Sequence, residues 1–299
     1  MRLAFTSDLH VEYHLEVVGR VAERVAALAP DALVLAGDVC PDLSRLERAL
    51  RILGQSLSGP LLVLPGNHEL WCGGAGSPGP DSRKRYEQVL PALARRAGAI
   101  PLGLEPVRFG GVTFVGVTGW YDDSLRDPDL AVAPGAVDHA APARQDVTCV
   151  DRLQVYWPDD RGEPLGDVAL SEHMVALLRR QLRAAGPGPV VVITHMLPHR
   201  ELLDPRGAER AQNPALRQLD AFMGSRALWT AIGEHEGVAL VISGHQHHAV
   251  ARDLPLANRT VPCAVSPIGY PREMDAPVDA HVASRVSVRE IATDFGKQD

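Results

Sequence analysis

Two periodicities divide the chain. Short unbroken apolar runs read as strands buried on both faces, and stretches with apolar residues three or four apart read as helices. Residues 2–6 form the first strand, and Val17, Val18, Val21, Val25 and Leu28 then mark one face of a helix over 16–29 that Pro30 stops. Residues 32–36 are a second strand, Leu43, Leu46, Leu50 and Leu53 stripe a helix over 42–57, and residues 61–64 are a third strand. This is a βαβαβ opening. Further strands are predicted at 112–117, 190–194, 238–243, 248–254, 261–266 and 282–289, and helices at 83–97, 169–185, 214–223 and 226–235. The strand-rich last sixty residues imply that some pairing is antiparallel, so the expectation is a layered α/β sandwich. Residues 121–168 hold no long periodic element, and a stretch of that length in a compact domain is either a functional loop or a wrong assignment of elements.

At 299 residues, with 45% hydrophobic and 22% charged positions, the chain has enough apolar material for a large core. We expect one domain over 1–299 with a long loop insertion at about 121–168. Gly 27 and Pro 24 together exceed the ordinary share of roughly 12% and point to extensive loops. A net charge of −7 argues against affinity built on broad phosphate-backbone neutralisation, while leaving a local nucleic-acid groove open. Cys40, Cys72, Cys149 and Cys263 are scattered without a CxxC pair and read as free thiols. No run approaches the ~20 apolar residues that cross a bilayer. The expected setting is therefore cytoplasmic, with no membrane partner.

Chemistry collects after the strands. Asp8 and His10 follow the first in TSDLH, Gly37 and Asp38 the second in AGDVC, and Gly66, Asn67, His68 and Glu69 the third in PGNHE. Thr194 and His195 end the run VVVIT, and Gly244, His245 and His247 follow VALVIS. Ligands of open α/β sheets gather outside the carboxyl ends of strands. On an extended backbone, the one-residue spacing of Asp8 with His10 and of His245 with His247 would aim both members of each pair the same way. Singly, each residue has an ordinary reading as a turn or cap residue. Five such segments together do not.

Carboxylate, amide oxygen and imidazole suit divalent first-row cations. Asp8, His10, Asp38, Asn67, His195, His245 and His247 are too many for one tetrahedral site, but two ions sharing a carboxylate would use them all. Two ions about 3.5–4 Å apart can activate a bridging hydroxide and stabilise both the attacking and the leaving oxygen of a phosphoester.

The ordered segments DLH, GD, GNHE, TH and GHQH, from Asp8 to His247, closely resemble the calcineurin-like metallophosphoesterase superfamily. The resemblance implies a four-layer α/β/β/α sandwich of two mixed sheets flanked by helices. It implies one metal held by Asp8, His10, Asp38 and His247 and another by Asp38, Asn67, His195 and His245, with Asp38 bridging. It also places His68 near the leaving group, as general acid or transition-state stabiliser. Mn2+ is the expected metal, with Fe, Zn and Ni as alternatives for the same donor set. Glu69 reads either as a support for His68 or a ligand imidazole, or as a helix-start residue.

The expected activity is hydrolysis of a small phosphodiester or nucleotide. A phosphomonoesterase acting on a metabolite or phosphoprotein is the alternative, and a noncatalytic metal-binding scaffold a minor one. Trp71, Trp120 and Tyr121 are candidate stacking surfaces for substrate, and Arg200 is a candidate phosphate contact. The sequence carries no signal for the oligomeric state.

Overall fold

Alternation within each strand decides the architecture of the computed structural model, which describes residues 1–127, 149–203 and 214–293. In β1 (Arg2–Thr6), Leu3 and Phe5 face one buried cluster and Ala4 faces another. In β2 (Ala32–Ala36), Ala32, Val34 and Ala36 join the first cluster, while Leu33 and Leu35 join the second. A strand buried on both faces has no polar position to give up, and this is why these runs are unbroken.

The inner cluster lies between two sheets. Leu62 and Leu64 of β3 (Leu61–Leu64) meet Phe114 of β6 (Val112–Val117), Val191 and Ile193 of β7 (Val190–Thr194), and Leu240 and Ile242 of β8 (Val238–Ser243). The outer faces carry helices. Val17, Val21 and Val25 of helix Glu16–Leu28 and Leu46, Leu50 and Leu53 of helix Leu43–Gln55 cover the first sheet. Leu170, Met174 and Leu178 of helix Asp167–Ala185 pack with Val115 and Val192 over the second. Each fully buried side chain of this kind contributes about 1.5–3 kcal/mol. The result is the expected four-layer α/β/β/α sandwich.

The first sheet has the order β11-β1-β2-β3-β4, with β4 at Ile100–Pro101 and β11 at Ser287–Glu290; β1 to β4 run parallel and β11 is antiparallel to β1. The second has the order β5-β6-β7-β8-β10-β9. Here β6, β7, β8 and β10 (Arg259–Val265) run parallel, and β5 (Val107–Phe109) and β9 (Val250–Leu256) are antiparallel edges. Both sheets are therefore mixed.

Several boundaries differ from the sequence pattern. The strand expected at 282–289 begins as the end of helix Val278–Arg285 and becomes β11 only at Ser287. Val282 and Val286 are four apart and Val286 and Val288 two apart, so the run carries both periods. The helix expected at 214–223 is α-helical over Pro214–Leu219 and 3-10 over Asp220–Phe222. Strands β4 and β5 are two and three residues long, too short to register as a pattern. Of the loop expected at 121–168, residues 128–148 lie outside the described residues, and Asp151–Gln154 forms a short helix. All four cysteines are free, with Cys40 and Cys263 buried.

Candidate metal centre

The carboxyl ends of β1, β2 and β3 in one sheet and of β7 and β8 in the other meet at one rim. Short backbone bonds tie the loops there: Asp8 N–H donates to Gly37 at 2.9 Å, and Gly244 N–H donates to His195 at 3.0 Å. His195 Nδ1 reaches across from β7 to the Ala36 carbonyl at the end of β2, 2.8 Å away. Gly66 lies so close to Asp38 that a Cβ there would collide with its carboxylate and amide, and Gly37 has φ +95°. Asp8, His10, Asp38 and His245 have φ of 54°, 44°, 53° and 71°. The extended backbone expected at DLH and GHQH is thus replaced by left-handed residues. Such strain persists where the surrounding structure fixes it, commonly at functional sites.

The expected metal-binding residues converge in two groups, and a third set of donors overlaps both. Asp8, His10 and His247 offer donor atoms within 4.8 Å of one another, as do Asp38, His195 and His245, and the third set joins His10, Asp38 and His68. His245 and His247 accordingly serve different groups, an outcome of the turn between them. Asn67 completes the second group: its Oδ1 is 2.8 Å from His195 Nε2 and 3.1 Å from His245 Nδ1.

Hydrogen-bond accounting tests whether cations fit. His195 Nδ1 faces the Ala36 carbonyl, and His245 Nε2 faces the Phe222 carbonyl at 3.2 Å, so each neutral ring carries its proton there. The opposite nitrogens then present lone pairs toward the Asn67 oxygen and, for His195, toward Asp38 Oδ2 at 3.3 Å. In the other group His247 Nδ1 faces Glu273 at 2.7 Å and His10 Nδ1 faces Glu12 at 3.4 Å, while their Nε2 atoms stand 3.0 Å apart. Acceptors converging on a buried point repel unless positive charge lies between them. Carboxylates or carbonyls behind each ring are the usual support of metal-binding imidazoles. The donor set therefore fits two divalent ions.

The titration pattern has the same origin. Burial alone would lower the His195 pKa, yet Asp38 raises it to about 9. Burial likewise opposes a charged His247, and Asp8 and Glu273 raise it to about 10. For His245 burial outweighs the nearby carboxylates, and together with the charge of His195 it lowers the pKa to about 4. Asp38, though buried, is held well below the usual carboxylate range by His195 and His68. The carboxylates thus demand positive charge at this rim.

His68 is buried beside these groups, with Nε2 3.7 Å from Asp38 Oδ2 and Nδ1 3.7 Å from Glu12 Oε1. Burial opposes its protonation, but the charge of Asp38 outweighs it and the His68 pKa is raised. Its Nδ1 is buried and has no hydrogen-bond partner among the described residues. Trp71 stacks flat on it, with ring centroids 3.7 Å apart. Glu69 takes a different part: its carboxylate accepts the backbone N–H groups of Asp38, Cys40 and Gly66 at 3.0, 2.8 and 2.6 Å. It brackets the loops after β2 and β3 and also caps the helix Asn67–Leu70.

Three of the candidate substrate contacts are engaged elsewhere. Trp120 and Tyr121 are 2% and 1% exposed and stack on each other; the indole N–H bonds Asp167 at 3.0 Å and the phenol contacts Cys149. They are core residues and present no free face to a ligand. The Arg200 fork is occupied by the Arg126 carbonyl at 2.6 Å and by Asp127 at 3.4 Å. Trp71 stays beside the centre. Sequence reasoning missed Glu12, Asp151, Tyr270 and Glu273. Glu12, two residues past His10 in DLHVE, carried a positional hint; Tyr270 and Glu273 carried none, because the strand β10 delivers them from far along the chain. Tyr270 lies 4.3 Å from the His10 ring and packs edge-on to Tyr13, which is 60% exposed.

The sequence model of the family described as calcineurin-like phosphoesterase matches residues 1–249. No curated protein sequence matches the chain. Among solved structures, the chain is similar to one named as a phosphopantetheinyl hydrolase from Mycobacterium tuberculosis, at 20% identity and TM-score 0.70 over 98% of this chain and 97% of that one. It also resembles the protein TT1561 of Thermus thermophilus, at 13% identity and TM-score 0.51 over 96% and 97%. At these identities the likeness is one of fold.

Proposed function

We propose that this chain, which belongs to the calcineurin-like phosphoesterase family and is a metal-dependent hydrolase, acts on small phosphodiesters. Asp8, His10, Asp38 and His247 would hold one divalent ion and Asp38, Asn67, His195 and His245 the other, with Asp38 common to both. Mn2+ is the first candidate for each. When bound, such ions polarise phosphoryl oxygens and lower the pKa of the attacking water.

The protein's own groups do the rest. His68, with Nε2 toward Asp38 and its pKa raised, carries a proton to the leaving oxygen near neutral pH. Glu12 and Glu273 hold the rings of His10 and His247 from behind, and Glu69 fixes the backbone of Asp38.

The observation that favours a diester is the nature of the walls. Trp71 lies against His68, and Tyr270 with Tyr13 lies against His10. Aromatic faces suit the organic arm of a diester, which carries one negative charge, whereas a monoester dianion calls for added cations. The solved structure named as a phosphopantetheinyl hydrolase places phosphopantetheinyl conjugates beside nucleotides in a first substrate screen.

The test is the ratio of hydrolysis rates on matched aryl phosphodiesters and phosphomonoesters, with metal-stripped protein reloaded with manganese. A large diester preference supports this reading. A large monoester preference would replace it with a phosphatase acting on phosphorylated metabolites or proteins.

A further inference from the structure

Behind the Asn67 side chain lies a carboxylate that none of the five strand-end segments supplies. Asp151 opens the short helix Asp151–Gln154, which lies between β6 and helix Asp167–Ala185 in the chain, and it is 4% exposed. Its Oδ1 accepts two hydrogen bonds at once, from Asn67 Nδ2 at 2.9 Å and from Trp71 Nε1 at 2.7 Å.

These bonds bear on the two halves of the centre. A carboxamide can present either its oxygen or its nitrogen to a neighbour, and only the oxygen can bind a cation. With Nδ2 donating to Asp151, Oδ1 of Asn67 must point to His195 Nε2 and His245 Nδ1. With its indole N–H donating to the same oxygen, Trp71 is held flat on His68. The geometry points to Asp151 as a positioning residue that sets the flip of the Asn67 amide for the ion at His195 and His245 and fixes the Trp71 wall over His68. This rests on reading Asn67 as a ligand, and it gives the helix Asp151–Gln154 a part in the centre.

The experiment compares wild type, Asp151→Ala and Asp151→Asn by equilibrium dialysis against Mn2+ with metal analysis. Asp151→Ala is expected to bind one of the two ions about 10–100-fold more weakly, the usual effect of removing a group that orients a ligand. Asp151→Asn still offers an oxygen to both donors and should stay within a few fold of wild type. Equal affinity in Asp151→Ala and wild type would overturn the proposal, and so would an Asp151→Asn protein as weak as Asp151→Ala, since charge rather than orientation would then be at work. If Asp151→Ala does not fold, Asp151→Ser, whose shorter side chain stops short of both donors, takes its place in the same comparison.

A second readout needs no metal. Trp71 emission, isolated as the difference from Trp71→Phe, should move to longer wavelength in metal-free Asp151→Ala and stay in place in Asp151→Asn. An unmoved Trp71 emission in Asp151→Ala would remove the claim on the His68 wall. Wild-type protein that binds fewer than two ions would refute the metal assignment instead, and the emission would still decide whether Asp151 holds Trp71.

Discussion

The Nε2 atoms of His10 and His247 face each other 3.0 Å apart, while the Nδ1 of each ring faces a carboxylate, Glu12 for one and Glu273 for the other. Against the effect of burial, Asp8 and Glu273 raise the His247 pKa to about 10, so a proton lies between the two Nε2 atoms of the apoprotein, and a cation that takes its place stabilises the folded state. Stripping the protein with a chelator should lower its melting temperature on the order of 5–10 °C, as expected for losing ligands held at about 100 times their Kd. Calorimetry before and after Mn2+ is restored checks this; an unchanged transition would mean that the pair is stabilised by protons alone.

Asp38 offers donor atoms both to the set with His195 and His245 and to the set with His10 and His68. Asp38→Asn keeps the shape of the side chain and removes its charge, so both ions should be lost together, with each affinity falling by more than the 10–100-fold typical of a supporting residue. Metal analysis of the purified variant gives the stoichiometry. Retention of two ions with unchanged turnover would remove Asp38 from the shared position.

The His68 ring lies against Trp71, and its Nε2 stands 3.7 Å from Asp38, beyond hydrogen-bonding distance. His68→Ala should lower turnover by about 10²–10⁴-fold, the span of general acid catalysis, and leave the metal content intact. The loss should be greatest for alkyl leaving groups and smallest for nitrophenyl ones, which need no proton. A uniform loss across leaving groups would assign His68 to positioning.

Trp120 is locked under the rim by Asp167 and Tyr121. Trp120→Phe should cost about 1.5–3 kcal/mol of stability, the worth of a hydrogen bond to a charged group, and leave KM unchanged. Urea unfolding and steady-state kinetics on one preparation separate the two effects. A raised KM with unchanged stability would return Trp120 to the substrate.

Burial pushes the Cys40 and Cys263 thiols up to about 12, so both stay neutral and unreactive at pH ~8. Alkylation at that pH followed by mass spectrometry should leave these two unmodified in the native protein and modify all four cysteines after unfolding. Rapid native labelling of Cys40 would show that the loop after β2 opens.

What could be read from the sequence follows the physics of burial. Strands β1, β2, β3, β6, β7 and β8 have the boundaries that their apolar runs predict, because a strand covered on both faces tolerates no polar interruption. The edges β5, β9 and β11 face solvent in part and blur into neighbouring patterns. In the centre, Asp8, His10, Asp38, Asn67, His195, His245 and His247 were legible because each follows a strand end. Glu12, Asp151 and Glu273 were not, since a carboxylate that orients a neighbour is chosen by three-dimensional proximity. Trp120 and Tyr121 show the converse error: a position after a strand does not tell whether an aromatic ring turns toward solvent or into the core.

Asp8 accepts the backbone N–H of His245 across 237 residues, and Gly269 N–H donates to Asp8 in turn. The rim is thus assembled from nearly the whole length of the chain, and no early fragment of it can gather the full donor set. Contacts of such separation close last and slowly. Ion uptake should therefore report the final docking of the two sheets, and a pulse of metal added during refolding would time that event without any attached probe.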